Sequence, residues 1–419
     1  MAFFFCSRAS LRLMFRIMSK TTEQFIQKIP KTDLHLHLDG SLRLSSLIEM
    51  ARAEGVVLPS YEADGLNELV FKSRYANLGE YLAGFAFTVG VLQTAENLER
   101  AAFELAEDSF REGVRYIEVR FAPQLHVTHS TEIAGVVRAV NAGLAAAKKR
   151  LNATLSENDM PFEYGIILCA MRRFNRAMSP YYERLLNRGK SSGLRYAYAR
   201  ASLGLAKEAV KLRDEGLPVV GFDLAGEEAG YPAIHHKAAF HHAHRHFLRK
   251  TVHAGEAYGP ESIFQAITEC HANRIGHGTF LFSEAAIKLK AIKDKKRYIA
   301  QLAEYIANQR ITIEVCPTSN LQTIPDFKTL EDHPIQQMVN AGLSVSISTD
   351  NRLISHTTVT RELKLLADHL VLDHSQFRDL VLAGFKRSFF PASYGEKRAY
   401  VRRAINLYDG LAQQYFGAE

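Results

Sequence analysis

The chain alternates between short apolar runs and longer stretches in which apolar residues recur every three or four positions. Short apolar or β-branched runs, mostly closed by Gly, Pro or Asp, predict buried strands. They occupy residues 32–40, 114–123, 163–172, 218–226, 250–256, 274–281, 311–317 and 343–350. Helical spacing is clearest over residues 95–113, 132–151, 197–215 and 285–309. The pattern therefore predicts strands that alternate with helices.

This alternation predicts an α/β fold with a parallel sheet, and eight strands predict a (β/α)8 TIM-type barrel. The stretch 41–111 is too long for one connection, so we expect extra helices over the C-terminal mouth of the barrel. The tail after Asp373 also has a helical pattern. Residues 29–419 contain no low-complexity linker and are predicted to form a single domain. Residues 1–28 are predicted to be an N-terminal extension, either disordered or upstream of a true start at Met18.

Composition and charge exclude some classes of function. The 419 residues are 47% hydrophobic and 23% charged, as in a globular protein with a large core. Of the net charge of +7, four positives lie in the acid-free first 20 residues: Arg8, Arg12, Arg16 and Lys20. Elsewhere the signs are interspersed, so we expect no nucleic-acid partner. No apolar run reaches the ~18 residues of a membrane span, so we expect no membrane partner either.

The cysteines indicate a reducing compartment. Cys6, Cys169, Cys270 and Cys316 are widely spaced and form no C-x-x-C pair. This spacing argues against a disulfide framework and favours a cytoplasmic protein.

The candidate chemistry begins on the first strand, in K-T-D-L-H-L-H-L-D-G. Residues two apart on a strand share a face, so His35, His37 and Asp39 are predicted to point the same way. An H-x-H pair alone is as compatible with a satisfied core as with a metal site. However, further acids and histidines stand where later strands end: Asp223, His253, Glu256, His277 and Asp350. A barrel gathers these ends around one point, which favours a shared site.

Three imidazoles and one carboxylate form a ligand set suited to zinc, with nickel, iron or cobalt as alternatives. The set is His35, His37, His253 and Asp350. Glu256, three residues beyond a ligand, is free to donate and accept protons. His277 stands between two glycines and can stabilise developing charge near the metal.

The motifs H-L-H-L-D-G, D-L-A-G-E-E, H-A-G-E, R-I-G-H-G and S-T-D together resemble the adenosine deaminase family of metal-dependent amidohydrolases. The resemblance extends from about Ile29 to Leu370. It implies one zinc ion per chain, which activates water. It further implies hydrolytic deamination of adenosine, and of 2′-deoxyadenosine, to inosine and ammonia in purine salvage. The alternative is another 6-aminopurine, such as free adenine or a modified adenosine.

The resemblance also implies roles for individual residues. The zinc ligands would be His35, His37, His253 and Asp350. Glu256 would protonate the purine ring nitrogen beside the amino-bearing carbon, while His277 and Asp350 orient the attacking water. The nucleoside would contact His37, Asp39, Gly226 and Asn351. Within that group Asp39 would accept a hydrogen bond from the ribose, and Gly226 would offer its backbone N–H to the ring.

Two positions bear on the purine preference. Many members of the family carry a second aspartate where this chain has Asn351. The purine N7 is an acceptor, to which an asparagine amide can donate and an ionised aspartate cannot. Related deaminases of free adenine tend to have glutamate at the position of Asp39, so the aspartate favours a nucleoside substrate.

Other features are given weaker interpretations. The histidines between His235 and His246 are predicted to lie on a solvated helix face. Ser319 and Asn320 either shape the pocket or cap a helix. The H-x-E and P-C-x-x-C motifs of the cytidine-deaminase zinc site are absent. A secreted, growth-factor-like relative would need a signal peptide and paired cysteines, and an inactive binding protein would not need Glu256.

Overall fold

The fold is a closed parallel barrel, seen in a computed structural model that describes residues 20–188 and 193–417. The strands are β1 Lys31–His37, β2 Val114–Phe121, β3 Glu163–Met171, β4 Val219–Ala225, β5 Arg249–Ala254, β6 Arg274–His277, β7 Thr312–Val315 and β8 Ser344–Ile347. They pair in parallel, in sequence order from β1 to β8. The predicted (β/α)8 barrel is confirmed.

The barrel closes through the segment that follows β8. Leu36 forms a parallel bridge with Asp350. The His37 N–H donates to the Asp350 carbonyl over 2.8 Å, and the Asp350 N–H donates to the His35 carbonyl over 2.8 Å. Because this closure joins the ends of β1 and β8, it brings two predicted ligand histidines beside the predicted ligand aspartate.

Helices surround the barrel and continue over its mouth. Those in the described residues are α1 Lys20–Lys28, α2 Leu44–Glu54, α3 Ala63–Leu69, α4 Leu78–Ala83, α5 Phe85–Val91, α6 Ala95–Arg111, α7 Ile133–Asn152, α8 Pro180–Arg188, α9 Leu194–Asp214, α10 Lys237–Arg245, α11 Pro260–Cys270, α12 Lys295–Gln309, α13 Pro317–Thr323, α14 Ile335–Asn340, α15 Val359–His369, α16 His374–Arg387 and α17 Tyr394–Phe416. The stretch 41–111 thus adds α2 to α6. Helix α4 places Tyr81 3.5 Å from the Asp350 carboxylate.

Helix α1 packs on the body of the protein. Phe25 and Ile26 are fully buried, and the Phe25 ring lies 5.4 Å from that of Tyr408 and 5.0 Å from that of Phe416. Residues 20–28 therefore join the same core as the barrel. Residues 1–19 lie outside the described part of the chain.

Several element boundaries differ from the sequence-based prediction, and two of the differences concern residues discussed above. Strand β1 ends at His37, so Asp39 lies in a turn and not on the strand. Helix α12 begins at Lys295 and not near Ala285. In the preceding stretch, the backbone N–H groups of Lys288 and Leu289 donate to the Glu261 carboxylate. These N–H groups are therefore not available for helical hydrogen bonds.

The predicted solvated histidine face is only partly correct. His244 and His246 are exposed on and after α10, but His236 is buried and its Nδ1 lies 2.7 Å from the Ser202 hydroxyl. Among residues 20–188 and 193–417, no helix combines the length and the apolar character needed to cross a bilayer.

Candidate metal centre and active site

The ring nitrogens of two histidines are oriented by buried carboxylates. His35 Nδ1 lies 2.8 Å from Glu314 Oε2, and His253 Nδ1 lies 3.1 Å from Asp223 Oδ2. An ionised carboxylate only accepts hydrogen bonds, so each Nδ1 carries the proton. The lone pair of each histidine is therefore on Nε2, the nitrogen that faces the barrel axis. This is the usual support for a metal-ligating histidine.

Arginines keep these carboxylates ionised in the interior. Despite burial, the Arg120 and Arg274 guanidiniums hold the pKa of Glu314 well below its usual range. Arg120 lies 2.8 Å from Glu314 and 2.8 Å from Asp223, and Arg274 lies 2.6 Å from Glu314. The resulting charge cluster is fully buried at the centre of the barrel.

Four candidate ligand atoms converge with the spacing that a small metal ion requires. His35 Nε2 and His253 Nε2 are 3.0 Å apart, and His37 Nε2 is 3.2 Å from His253 Nε2. Asp350 Oδ1 lies 3.5 Å from His35 Nε2 and 3.4 Å from His37 Nε2. Tetrahedral zinc with bonds of about 2.0–2.1 Å separates its ligands by roughly 3.3 Å. Because lone pairs that face each other repel, a cation between them fits this set.

A second grouping contains His277 in place of His37. The ligand atoms of His35, His253, His277 and Asp350 all lie within 4.8 Å of one another. His37 joins this cluster through its contacts with His253 and Asp350, so the structure brings the four predicted ligands and the predicted catalytic histidine together. Among the described residues, this is the one group of three or more His, Cys, Asp or Glu side chains with such spacing.

Asp350 and His277 both have left-handed backbone conformations, with φ of 62° and 64°. Such angles are strained for residues other than glycine and occur often at functional sites. Gly276 gives His35 room, since a Cβ there would lie 2.8 Å from the His35 ring. The glycine before His277 is therefore explained by the close approach of a ligand ring.

Glu256 lies beside this cluster, with Oε1 3.6 Å from His277 Nε2. Its loop is held by Glu228, whose carboxylate accepts the N–H groups of Gly255, Glu256 and Ala257 over 2.7–3.0 Å. Burial raises the pKa of Glu256 to about 8. A carboxyl group with a raised pKa is suited to donate a proton near neutral pH.

Three of the predicted nucleoside contacts have local features that bear on ligand binding. Asp39 is buried, with one carboxylate oxygen lacking a hydrogen-bond partner, and burial raises the pKa of its carboxyl to about 7. Gly226 has φ of 93°, a conformation that favours glycine. The Asn351 amide nitrogen donates to the Tyr81 hydroxyl over 2.7 Å.

Several residues around the site have no role assigned from the sequence. They are Tyr81, Arg120, Glu228, Arg274 and Glu314. The sequence places Asp223 near the site but does not predict its contact with His253. The signal that could have revealed some of them is a charged side chain inside an otherwise apolar strand, as in V-R-Y-I-E-V-R-F and I-T-I-E-V. A charge at such a position is costly unless it is paired. Their partners come from distant strands, which the sequence does not specify.

We expect Asp223→Asn to weaken zinc binding by about 10–100-fold, because a neutral amide accepts the His253 Nδ1–H more weakly than a carboxylate and can also present its NH₂ group to Nδ1. The measurement is competition for zinc with a chromophoric chelator. Asp214→Asn, at the exposed end of α9, is the matched control and should leave zinc affinity unchanged. Unchanged affinity in Asp223→Asn would show that this carboxylate does not support the metal site.

Comparison with known proteins agrees with the geometry. The family model for adenosine deaminase matches residues 30–197 and 193–405. Adenosine deaminase 1 of Streptomyces coelicolor is 35% identical over 382 residues, which cover 91% of this chain and 87% of that protein. The adenosine deaminase of Mycobacterium sp. strain JLS is 36% identical over 388 residues, covering 92% and 96% of the two chains.

A solved structure shows the same fold at lower identity. An amidohydrolase from Burkholderia ambifaria, solved with bound zinc, superposes with a TM-score of 0.75 at 18% identity, covering 96% of each chain. The family model spans most of the chain, and relatives at 34–36% identity carry the family's name over at least 91% of it. The chain therefore belongs to the adenosine deaminase family.

Proposed function

We propose that this protein is a zinc-dependent deaminase that hydrolyses adenosine, and 2′-deoxyadenosine, to inosine and ammonia in purine salvage. The observation that carries the proposal is the convergence of three histidine Nε2 atoms and one carboxylate oxygen within 3.0–3.5 Å of their neighbours, beside the buried Glu256. This arrangement combines a metal site with a proton donor, which together suit hydrolysis of an amidine carbon.

The ligand set supports zinc as the metal. The proposed ligands are His35, His37, His253 and Asp350. When bound there, zinc lowers the pKa of water and so supplies a nucleophile at neutral pH. The buried carboxylates Asp223 and Glu314 hold the ring protons of His253 and His35 on Nδ1. The Nε2 lone pair of each histidine is thereby left free to bind a cation.

Glu256 is proposed to protonate the ring nitrogen beside the amino-bearing carbon. Its buried carboxyl, with a pKa of about 8, carries the proton that this step needs. Glu228 fixes its backbone through three N–H contacts in the same loop, so the carboxyl is positioned before substrate arrives. Protonation makes the neighbouring carbon more electrophilic and prepares loss of ammonia.

The nucleoside is proposed to bind through Asp39, Gly226, Asn351 and His37. Asp39 offers an unpaired buried carboxylate oxygen to a ribose hydroxyl. Asn351 uses one amide hydrogen toward Tyr81, and an amide nitrogen has a second hydrogen that can reach purine N7. Gly226, whose φ of 93° favours glycine, is proposed to offer its backbone N–H to the purine ring.

The proposed binding partner is a small purine nucleoside. A cytoplasmic location stays a prediction, and this prediction rests on Cys169, Cys270 and Cys316, which are buried as free thiols in the described part of the chain. Cys6 lies outside it.

A substrate panel tests the proposal. Loss of absorbance at the purine band is followed for adenosine, 2′-deoxyadenosine, N6-methyladenosine and adenine at equal concentration. We expect fast conversion of the first two and no conversion of adenine. Conversion of adenine with adenosine untouched would keep the metal chemistry and overturn the substrate proposal.

Asp39→Ala tests the ribose contact separately. Loss of a hydrogen bond to a carboxylate, about 1.5–3 kcal/mol, should lower kcat/KM for adenosine by about 10–100-fold. Asp64→Ala, on the exposed surface of α3, is the matched control. An equal kcat/KM for adenosine in the Asp39 and Asp64 variants would remove the ribose role.

A further inference from the structure

A chain of hydrogen bonds leads from the backbone of α14 to the catalytic histidine, and its first member is unambiguous. The Ile335 N–H, at the first position of α14, donates to His333 Nδ1 over 3.1 Å. A backbone N–H can only donate, so His333 Nδ1 is an acceptor. Burial lowers the pKa of His333 to about 3, which keeps the ring neutral. Its single ring proton is therefore on Nε2.

The next contact determines how the Asn320 amide is oriented. His333 Nε2 lies 3.1 Å from Asn320 Oδ1. Because His333 Nε2 carries the proton, the atom that it meets must be the amide oxygen. The other end of the amide is then the NH₂ group, a donor. Asn320 is fully buried, so water does not compete for either end.

The amide in turn assigns the proton on His277. Asn320 Nδ2 lies 3.1 Å from His277 Nδ1. Since the amide NH₂ donates, His277 Nδ1 must be the bare acceptor nitrogen. The proton of the neutral His277 ring is left on Nε2. That atom faces the reaction site, 3.6 Å from Glu256 Oε1, and the ring centroid lies 4.7 Å from that of His35.

We propose that His333 and Asn320 are positioning residues that hold His277 as the tautomer with its proton on Nε2. Resting on the proposed function, this makes His277 a hydrogen-bond donor to the oxygen that attacks the purine. In this tautomer Nε2 has no lone pair, so His277 neither accepts a proton there nor ligates the metal. The choice between the two ligand groupings then favours His37 over His277.

The three side chains of this hydrogen-bond relay, His333, Asn320 and His277, are buried, which restricts their movement. His333, Asn320 and His277 are all at most 2% exposed, and they lie on three consecutive parts of the chain around β7. Asn320 belongs to α13, which follows β7, and His333 directly precedes α14. A helix terminus thereby determines the protonation pattern of a residue at the end of β6.

The first experiment reads the tautomer directly. The zinc-loaded protein, labelled with ¹⁵N-histidine, is examined by two-bond ¹H–¹⁵N correlation spectra, and the His277 signals are assigned by their loss in His277→Gln. We expect a bare Nδ1 and a protonated Nε2. A bare Nε2 or a metal-shifted Nε2 in the wild-type protein overturns the proposal. This readout does not need turnover, so it is independent of whether adenosine is the substrate.

Asn320→Asp reverses the pattern that the relay imposes. A carboxylate can only accept, so His277 Nδ1 gains the proton and Nε2 becomes bare. We expect kcat for adenosine to fall by about 100-fold or more, as for other histidines forced into the wrong tautomer, with KM changed by less than threefold and one zinc per chain retained. Retained kcat in a folded variant overturns the proposal. Asn340→Asp, exposed at the end of α14, is the matched control.

A pair of His333 variants tests the relay if Asn320→Asp does not fold. Glutamine can place an N–H close to the position of His333 Nε2, whereas leucine cannot donate. We expect His333→Gln to keep kcat within about threefold of wild type and His333→Leu to lose about tenfold, with similar melting temperatures. Equal kcat in the two variants would show that His333 contributes only by packing, and would overturn its positioning role. Failure of wild-type protein to convert adenosine, with the expected ¹⁵N pattern, would instead refute the proposed function alone.

Discussion

Glu256→Gln is expected to lower kcat for adenosine by about 10³-fold while the protein keeps its zinc. Glutamine has nearly the same shape as glutamic acid but cannot supply a proton. The carboxyl group is buried, and its pKa of about 8 keeps that proton available near neutral pH. Because Glu256 is three residues beyond the proposed ligand His253 and is not itself a proposed ligand, the substitution should leave the metal set intact.

The measurement compares kcat with zinc content in the same preparation. Glu304→Gln, on the exposed side of α12, makes the same chemical change away from the site and should have wild-type kcat. If Glu256→Gln kept wild-type kcat with zinc bound, a different group would have to be the proton donor. Loss of zinc in the variant would place Glu256 among the ligands instead.

Asp350→Gly is expected to weaken zinc binding by more than about 100-fold. This loss exceeds the loss of affinity expected when a residue that only supports a ligand is replaced. Turnover should fall with it by at least about 10³-fold, since metal activation of water contributes several kcal/mol. The free energy of unfolding of the metal-free protein should change little, because two effects oppose each other. Asp350 has φ of 62°, and glycine removes a left-handed strain of roughly 1–2 kcal/mol. The substitution also removes the hydrogen bond that the Ser319 hydroxyl donates to Asp350 Oδ2 over 2.7 Å.

Two readouts separate the ligand role from a structural one. Zinc content and the free energy of unfolding are measured with and without chelator for Asp350→Gly and for Arg310→Gly. Arg310 also has a positive φ, 52°, but it caps α12 away from the site. The free energy of unfolding of both variants should stay close to that of metal-free wild type, and only Asp350→Gly should lose zinc. Zinc affinity retained in Asp350→Gly would remove Asp350 from the ligand set.

Much of the fold could be predicted because its signals are local. Each strand is an apolar run with a clear end, and each major helix has its own periodicity, so eight alternations indicate a barrel. Parallel strands of a barrel all end at one mouth. His35, His253 and Asp350 could therefore be placed near one another without any knowledge of side-chain contacts.

Local signals fail where a segment's partners come from elsewhere in the chain. The stretch before α12 continues an apparently helical pattern, but the Glu261 carboxylate binds its N–H groups and a helix does not form. Asp39 continues the alternation of β1, but the chain turns after His37. In the first case a tertiary contact overrides the local pattern, and in the second a local turn, in which the Ser41 N–H donates to the Leu38 carbonyl, ends the strand.

The supporting residues of the site could not be predicted for a similar reason. Glu314 and His35 are 279 positions apart, and their contact exists only because β7 and β1 both line the barrel interior. The same holds for the His333–Asn320–His277 relay, in which each proton assignment depends on the contact before it. Such information arises from the fold and is absent from any single segment.

The most direct test of the central claim is a zinc titration of the chelated protein with adenosine conversion as the readout. We predict no conversion without metal, a rate that rises in proportion to added zinc, and saturation at one zinc ion per chain. Inosine and ammonia should appear in equal amounts. Undiminished conversion by protein whose zinc content is near zero, or a rate that does not follow bound zinc, would contradict a deaminase that works through this metal site.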